Sequence, residues 1–205
     1  MGTDFSTFEE ALYLDSKKAF KQILADLGDD IYVIGFYHSG SCSFLPMFNT
    51  HTDFQSTFED EYDCEEDDRL LAKWNVSDFP SLEDYSEYFE HSSEILQTLD
   101  NDDSYEIVSD EEIQKYWQAW LSTLERVLIR LDNEGVFSEG VERNSITLAI
   151  LAYDETEDEQ FSRIKRMNPP AVLATIETDF ETMIASRNEA EQLAMAEFER
   201  MLQEH

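Results

Sequence analysis

The chain is short of basic residues. It has 14 Lys and Arg against 47 Asp and Glu, which gives a formal net charge of −33 over 205 residues. A surface with this charge repels nucleic acid phosphates and anionic membranes, and it attracts basic proteins. We therefore expect neither nucleic acid nor a membrane as a partner, and we expect a basic protein instead.

Cysteines and long apolar segments are also scarce. The two cysteines, Cys42 and Cys64, form no CxxC pair, which is typical of a reduced cytosolic protein. The first residues show no basic segment followed by an apolar stretch, so they predict no secretory signal. No apolar run reaches the length of a membrane span. These absences together predict a cytoplasmic location.

Apolar residues are still plentiful enough for a core, at 41% of the chain with 13% aromatic. The acidity therefore does not indicate disorder. The length fits one large domain, and we expect a single α+β domain over residues 1–205 with a helical C-terminal tail. The oligomeric state is left open by the sequence.

Most of the chain shows helical periodicity. The predicted helices cover residues 4–27, about 51–74, 81–99, 110–134, the region around 161–167 and the tail at about 170–203. Ser109 with Glu112 forms a capping box for the fourth helix, and Gly135 ends that helix. Asn168 is predicted to cap the tail helix, with Pro169 as its first residue.

Two regions predict β-structure. Residues 31–48 have the pattern of a β-hairpin, because strand-forming residues flank the turn residues 39–41. Residues 145–153 are apolar at nearly every position, so this strand must be covered on both faces. We predict that the two regions share one sheet. The expected fold class is α+β, with a small, mostly antiparallel sheet covered by several α-helices.

The acid block, defined as residues 59–68, is the strongest local charge feature, because eight of its ten residues are Asp or Glu. Like charges three and four residues apart destabilise a helix by a few tenths of a kcal/mol per pair. The block is either a solvated helix end or a docking surface for a basic partner. Binding of a divalent cation is disfavoured, because a convex helix rarely brings six oxygen ligands together. The predicted partner-binding residues are Glu59, Asp60, Glu61, Asp63, Glu65, Glu66, Asp67 and Asp68, with Trp74 as a partly exposed aromatic anchor.

Catalytic chemistry has one weak candidate, a nucleophilic pair of Cys42 with His38. Such a pair also needs an orienting acid and an oxyanion hole, and no glycine-rich strand-to-helix elbow flanks Cys42. A small buried residue near a turn is the simpler interpretation of Cys42. The four histidines lack metal-ligand spacing, and nucleotide-binding motifs are absent. We therefore predict no catalytic residue, no metal site and no cofactor.

Several short motifs carry a family resemblance. They are Phe48-Asn49-Thr50, Lys73-Trp74, Ser77-Asp78-Phe79, the run from Leu131 to Phe137, the strand Ile146–Tyr153 and Met167-Asn168-Pro169. In this order they resemble the bacterial family called domain of unknown function 4303, over roughly residues 5–180. The family pattern places a second aromatic, often Trp, where this chain has Phe79. The family has no established activity, and some members look like immunity proteins encoded beside toxins. The resemblance thus implies an inhibitor or binding role.

The functional hypothesis combines this resemblance with the charge. We expect a non-catalytic acidic module that binds a basic protein, in the specific form of an immunity-like inhibitor of a basic bacterial toxin. One alternative is an enzyme with an unrecognised pocket, which a buried carboxylate in a deep cleft would indicate. The other alternative is a housekeeping protein adapted to salt, although that predicts evenly spread acids rather than clusters.

Overall fold

The structure, a computed structural model, describes six stretches of the chain. They are residues 4–38, 43–62, 68–80, 84–102, 109–152 and 155–203. Within these stretches the fold combines α-helices with a three-stranded β-sheet, which confirms the predicted α+β class. The α-helices are α1 (Ser6–Leu27), α2 (His51–Glu61), α3 (Arg69–Trp74), α4 (Glu90–Asp102), α5 (Asp110–Asn133), α6 (Glu157–Met167) and α7 (Pro170–Gln203). The strands are β1 (Ile31–His38), β2 (Leu45–Thr50) and β3 (Thr147–Ala152).

The sheet has the order β2-β1-β3, so β1 is its central strand. β1 and β2 form the predicted antiparallel hairpin, with Gly35 opposite Met47. β3 joins the other edge of β1 in parallel, with Gly35 opposite Ala149. The prediction that the hairpin and the later strand share one sheet is therefore confirmed.

Helices cover both faces of the sheet, as the continuous apolar pattern of β3 requires. Leu148 and Ile150 belong to an apolar cluster with residues of α1, α4 and α5. Ala149 and Leu151 point the other way, into a cluster with residues of α2, α3, α6 and α7. Because side chains alternate along a strand, a strand between two helical layers has no polar face.

The boundaries of the helices confirm some predictions and correct others. The capping box of Ser109 and Glu112 begins α5, and Gly135 follows α5 in the left-handed conformation, with a φ of 78°. The helix predicted over 81–99 begins only at Glu90, because Tyr85 has a φ of 65°, which a right-handed helix cannot contain. The segment predicted as one helix over about 51–74 is split into α2 and α3.

The predicted C-terminal tail is α7, a helix of 34 residues. Val172, Ile176 and Phe180 in its first half are buried, and Ile176 and Phe180 belong to the apolar cluster on the sheet face that α6 also covers. Among the described helices, none is both long enough and apolar enough to cross a membrane.

Candidate functional site

The acid block falls partly outside the described residues. Residues 63–67 lie outside them, and these include the predicted site residues Asp63, Glu65, Glu66 and Asp67. The described parts flank the gap at the end of α2 and the start of α3, where Asp68 directly precedes α3. The block therefore begins in the last turn of α2 and ends at the residue before α3, and it does not belong to one continuous helix.

Two carboxylates at the α2 end of the block accept hydrogen bonds from uncharged side chains. Glu59 and Asp60 are exposed on the last turn of α2. Glu59 accepts a hydrogen bond from the Gln55 amide at 2.6 Å, and Asp60 accepts one from the Ser56 hydroxyl at 3.4 Å. Neither donor carries a charge, so these bonds orient the carboxylates without neutralising them.

Trp74 is buried, with 6% of its surface exposed, so its predicted partial exposure is wrong. The physical reason is α7, which covers the ring. The Trp74 indole N–H donates to the Asp179 carboxylate at 3.1 Å, and the Lys73 ammonium donates to the same oxygen at 2.6 Å. The Phe180 ring centroid lies 5.0 Å from that of Trp74. In this conformation Trp74 fastens α7 to α3 and presents almost no surface to a partner.

A buried hydrogen-bond chain lies beside Trp74. The Tyr32 hydroxyl donates to the Lys73 carbonyl at 2.6 Å and accepts from the Asn49 amide at 3.0 Å. Burial raises the pKa of Tyr32 well above its usual range, so this hydroxyl stays protonated at neutral pH. Two of the motifs that carry the resemblance, around Asn49 and Lys73, thus join β1, β2 and α3 in the fold.

Two further motifs, the run from Leu131 to Phe137 and Met167-Asn168-Pro169, contribute to the lining of an open cleft of about 410 Å³ between α5, the 143–145 turn and the junction of α6 with α7. Its polar lining consists of Asp132, Asn133, Arg143, Asn144, Arg166 and Asn168. Arg143 was not predicted as a site residue, yet it is the centre of this cleft. Its guanidinium donates to both Asp132 oxygens at 2.6 and 3.1 Å and to the Ile146 carbonyl at 2.6 Å.

Asn168 also lines the cleft, and its predicted role as the N-cap of the tail helix is wrong, since it follows the last residue of α6 and α7 begins at Pro170. Its side-chain oxygen accepts from the Leu148 backbone N–H at 2.8 Å. Its amide donates to the carbonyls of Leu148 at 2.7 Å and Ile164 at 2.9 Å. The side chain is therefore turned toward β3, and the carbonyl of Pro169 accepts the first bonds of α7 instead. The hydrogen bonds of Arg143 and Asn168 are made within the protein, which favours a structural role for both.

A third polar group lies where the parallel strands β1 and β3 end. His38 is buried, and its Nδ1 lies 2.9 Å from the Ser43 carbonyl, to which it donates. Arg163, also buried, donates to the Ile150 carbonyl at 2.9 Å and pairs with Glu155. Cys42, the proposed partner of His38 in a nucleophilic pair, lies outside the described residues. In the described part of the chain, no three His, Cys, Asp or Glu side chains form a possible metal site.

Burial gives His38 a pH dependence that can be measured. Desolvation, only partly offset by the bond to Ser43, lowers the pKa of His38 below its ordinary 6.5. The unfolded chain then binds a proton below about pH 6.5 that the folded chain resists, so the stabilising contribution is lost as the pH falls. We expect the free energy of unfolding to fall more between pH 7.5 and pH 5.5 in the wild type than in His38→Asn. Asparagine keeps a donor for Ser43 without titrating. Equal pH slopes in urea denaturation of the two proteins would contradict this assignment.

Comparison with known proteins finds one family match. A family model described as Domain of unknown function (DUF4303) matches residues 13–169. The match includes the sheet, the Trp74 region and all residues that line the cleft, and it stops just before α7. Comparison with curated proteins and with solved structures finds no match. Because the family model covers well over half of the chain, the protein belongs to the DUF4303 family.

Proposed function

We propose that this protein is a non-catalytic module that binds a basic protein, in the specific form of an immunity-like inhibitor of a basic bacterial toxin. The observation that carries the proposal is how the few basic residues are used. Arg126 pairs with Glu9 at 2.7 Å and Arg130 pairs with Glu10 at 2.6 Å, which ties α5 to α1. Further pairs of this kind join α6 to α5 and α7 to α6.

Because these basic residues form salt bridges between helices, they are not available to neutralise the remaining acidic surface. With 47 acids and 14 bases, most carboxylates cannot have an internal cation. Glu87, Glu90 and Glu94, for example, are exposed around the start of α4. A surface of this sign accelerates the encounter with a basic protein and opposes the encounter with nucleic acid. Carboxylates can also occupy the phosphate-binding groove of a nuclease, which is the mechanism we propose for inhibition.

The internal bonding of the polar clusters supports binding over catalysis. The side chains of Tyr32, Arg143 and Asn168 make their hydrogen bonds with backbone groups and with other side chains of this protein. Groups held in this way stabilise the fold, whereas a catalytic acid or base needs reach to a substrate.

Charge reversal in the acid block tests the proposal. A basic partner would first be captured from the native cell, and its association would be followed by stopped flow at two salt concentrations. We expect Glu61→Lys, Glu65→Lys and Asp68→Lys together to slow association about ten-fold at low salt, and less at high salt, because steering is electrostatic. The dissociation rate should change much less.

The matched control reverses three exposed acids elsewhere, Glu87→Lys, Glu90→Lys and Glu94→Lys. This variant has the same net charge as the first. If the acid block is the docking surface, the control should slow association less than the block variant. Equal slowing would assign the effect to total charge, and no slowing in either variant would overturn the proposed electrostatic docking.

A further inference from the structure

The second half of α7 lies on the surface of the protein along its whole length. Every side chain from Asn188 to Leu202 is exposed. Most of the large apolar side chains that are exposed in the described residues lie here, at 51 to 66% exposure. They are Leu193, Met195, Phe198, Met201 and Leu202. Helices of this length are marginal in water without packing, so an apolar face of this size requires an explanation.

A short pattern occurs twice along α7. Residues 179–184 read Asp-Phe-Glu-Thr-Met-Ile, and residues 197–202 read Glu-Phe-Glu-Arg-Met-Leu. The offset of 18 residues equals five turns of 3.6 residues, so both copies lie on the same side of the helix, about 27 Å apart. The second copy therefore continues the line of side chains that the first copy uses for packing.

The first copy shows what this pattern packs against. Phe180 is fully buried, and its ring stacks on Phe161 with centroids 4.7 Å apart. The Trp74 ring also lies near Phe180, with centroids 5.0 Å apart. The acidic residue that precedes it, Asp179, accepts hydrogen bonds from the Lys73 ammonium and the Trp74 indole. The first copy thus binds an aromatic-lined apolar surface that has a lysine at its rim.

The second copy offers the same groups to solvent. Phe198 is 58% exposed, and no residue in the described part of the chain pairs with Glu197 or Glu199. Four glutamates and one arginine accompany the apolar residues between 188 and 202, so the flanks of this face are acidic. Charge complementarity therefore requires a basic rim around whatever covers the apolar face.

We propose that the second half of α7 docks as a helix into an apolar, aromatic-lined groove with lysine or arginine at its rim on a basic partner protein. The inference rests on the proposed function and supplies the apolar anchor that Trp74, being buried, does not provide. Insertion of an amphipathic helix into an apolar groove is a recurrent mode of recognition. A second copy of this chain is disfavoured, because each copy has a net charge of −33 and fills its own aromatic surface with Phe180.

The test uses the full chain and a synthetic probe. The probe is a two-helix hairpin with a groove lined by leucine and tryptophan and rimmed by lysine. The tail variant carries Phe198→Gln, Met201→Gln and Leu202→Gln, which retain every charge and a good helix former. We expect it to bind the probe at least ten-fold more weakly than the wild type in calorimetric titration. The control variant carries Leu14→Gln, Leu71→Gln and Ile113→Gln, three exposed apolar residues elsewhere, and should bind within two-fold of the wild type.

The acid-block reversal, measured with the same probe, separates this inference from the proposed function. Weaker binding in the tail variant alone supports the docking helix and overturns the role of the block. Weaker binding in the block variant alone overturns the docking helix and leaves the proposed function standing. Unchanged binding in both variants overturns both. A dimer of the wild type in sedimentation equilibrium that the tail variant loses would assign the face to a second copy and overturn the inference.

Discussion

Replacing Gly35 with alanine should destabilise the fold severely. Gly35 is in the middle of the central strand, between Met47 of β2 and Ala149 of β3. A Cβ atom at this position would lie 1.9 Å from the carbonyl oxygen of Ala149 and 2.9 Å from its carbonyl carbon. The obstructing atoms belong to the backbone, so β1 and β3 would have to separate to admit even a methyl group.

The expected loss is at least about 3 kcal/mol, the upper end for overpacking in a core, because no side-chain rotation relieves the contact. For a chain of this size, that lowers the melting temperature by at least about 6 °C. Urea denaturation and calorimetry would measure both quantities. Gly140→Ala is the control, since its left-handed φ of 81° carries strain but nothing lies within 4 Å of the added methyl. If the two variants lost similar stability, the close approach of β1 and β3 would be wrong.

The elements that sequence reasoning predicts well are those that neighbouring residues determine. The capping box of α5 needs only Ser109 and Glu112, and both bonds are present. The apolar run of β3 predicts its burial on both sides, because a strand without a polar face can occupy no other position. The start of α4 illustrates the limit. Tyr85 is left-handed, and its hydroxyl donates to Asp26 of α1 at 2.8 Å, so a residue 59 positions away helps to hold that turn.

The candidate site shows the same division between local and distant causes. The acidity and its clustering can be read directly from the sequence, and so can the expectation of a basic partner. The burial of Trp74 cannot, because it depends on Asp179 and Phe180 in a helix that begins nearly a hundred residues later. The repeated pattern in α7 was present in the sequence. Its meaning emerges only when one copy is seen buried and the other exposed.

The polar residues of the cleft were missed because their types suggest other roles. Asn168 before two prolines has the pattern of a helix cap, and a lone arginine such as Arg143 has the pattern of a surface residue. Both instead bond to the backbone of β3 or of the residue before it: Arg143 donates to the Ile146 carbonyl, and Asn168 accepts from the Leu148 N–H. A useful signal is the scarcity of basic residues, since a chain with few of them uses most in specific contacts.

Replacing Asn168 with alanine should also destabilise the fold strongly. The asparagine satisfies both backbone groups of Leu148, which are buried at the start of β3. Without it, a buried N–H and a buried carbonyl each lose a partner, at about 1–3 kcal/mol per group. The Ile164 carbonyl and the Arg143 guanidinium would each lose one hydrogen bond as well. We therefore expect a total of about 3 kcal/mol or more in urea denaturation.

Asn144→Ala provides the matched control, because Asn144 lines the same cleft but is exposed. The free energy of unfolding of Asn144→Ala should lie within about 0.5 kcal/mol of the wild type, as for most surface substitutions. Amide hydrogen exchange adds a local measurement, since the Leu148 N–H should lose protection in Asn168→Ala before the rest of β3 does. If Asn168→Ala were as stable as Asn144→Ala and Leu148 remained protected, the proposed role of Asn168 in stabilising β3 would be wrong. The Asn168 amide would then be available to a ligand, and the cleft would become a candidate binding site.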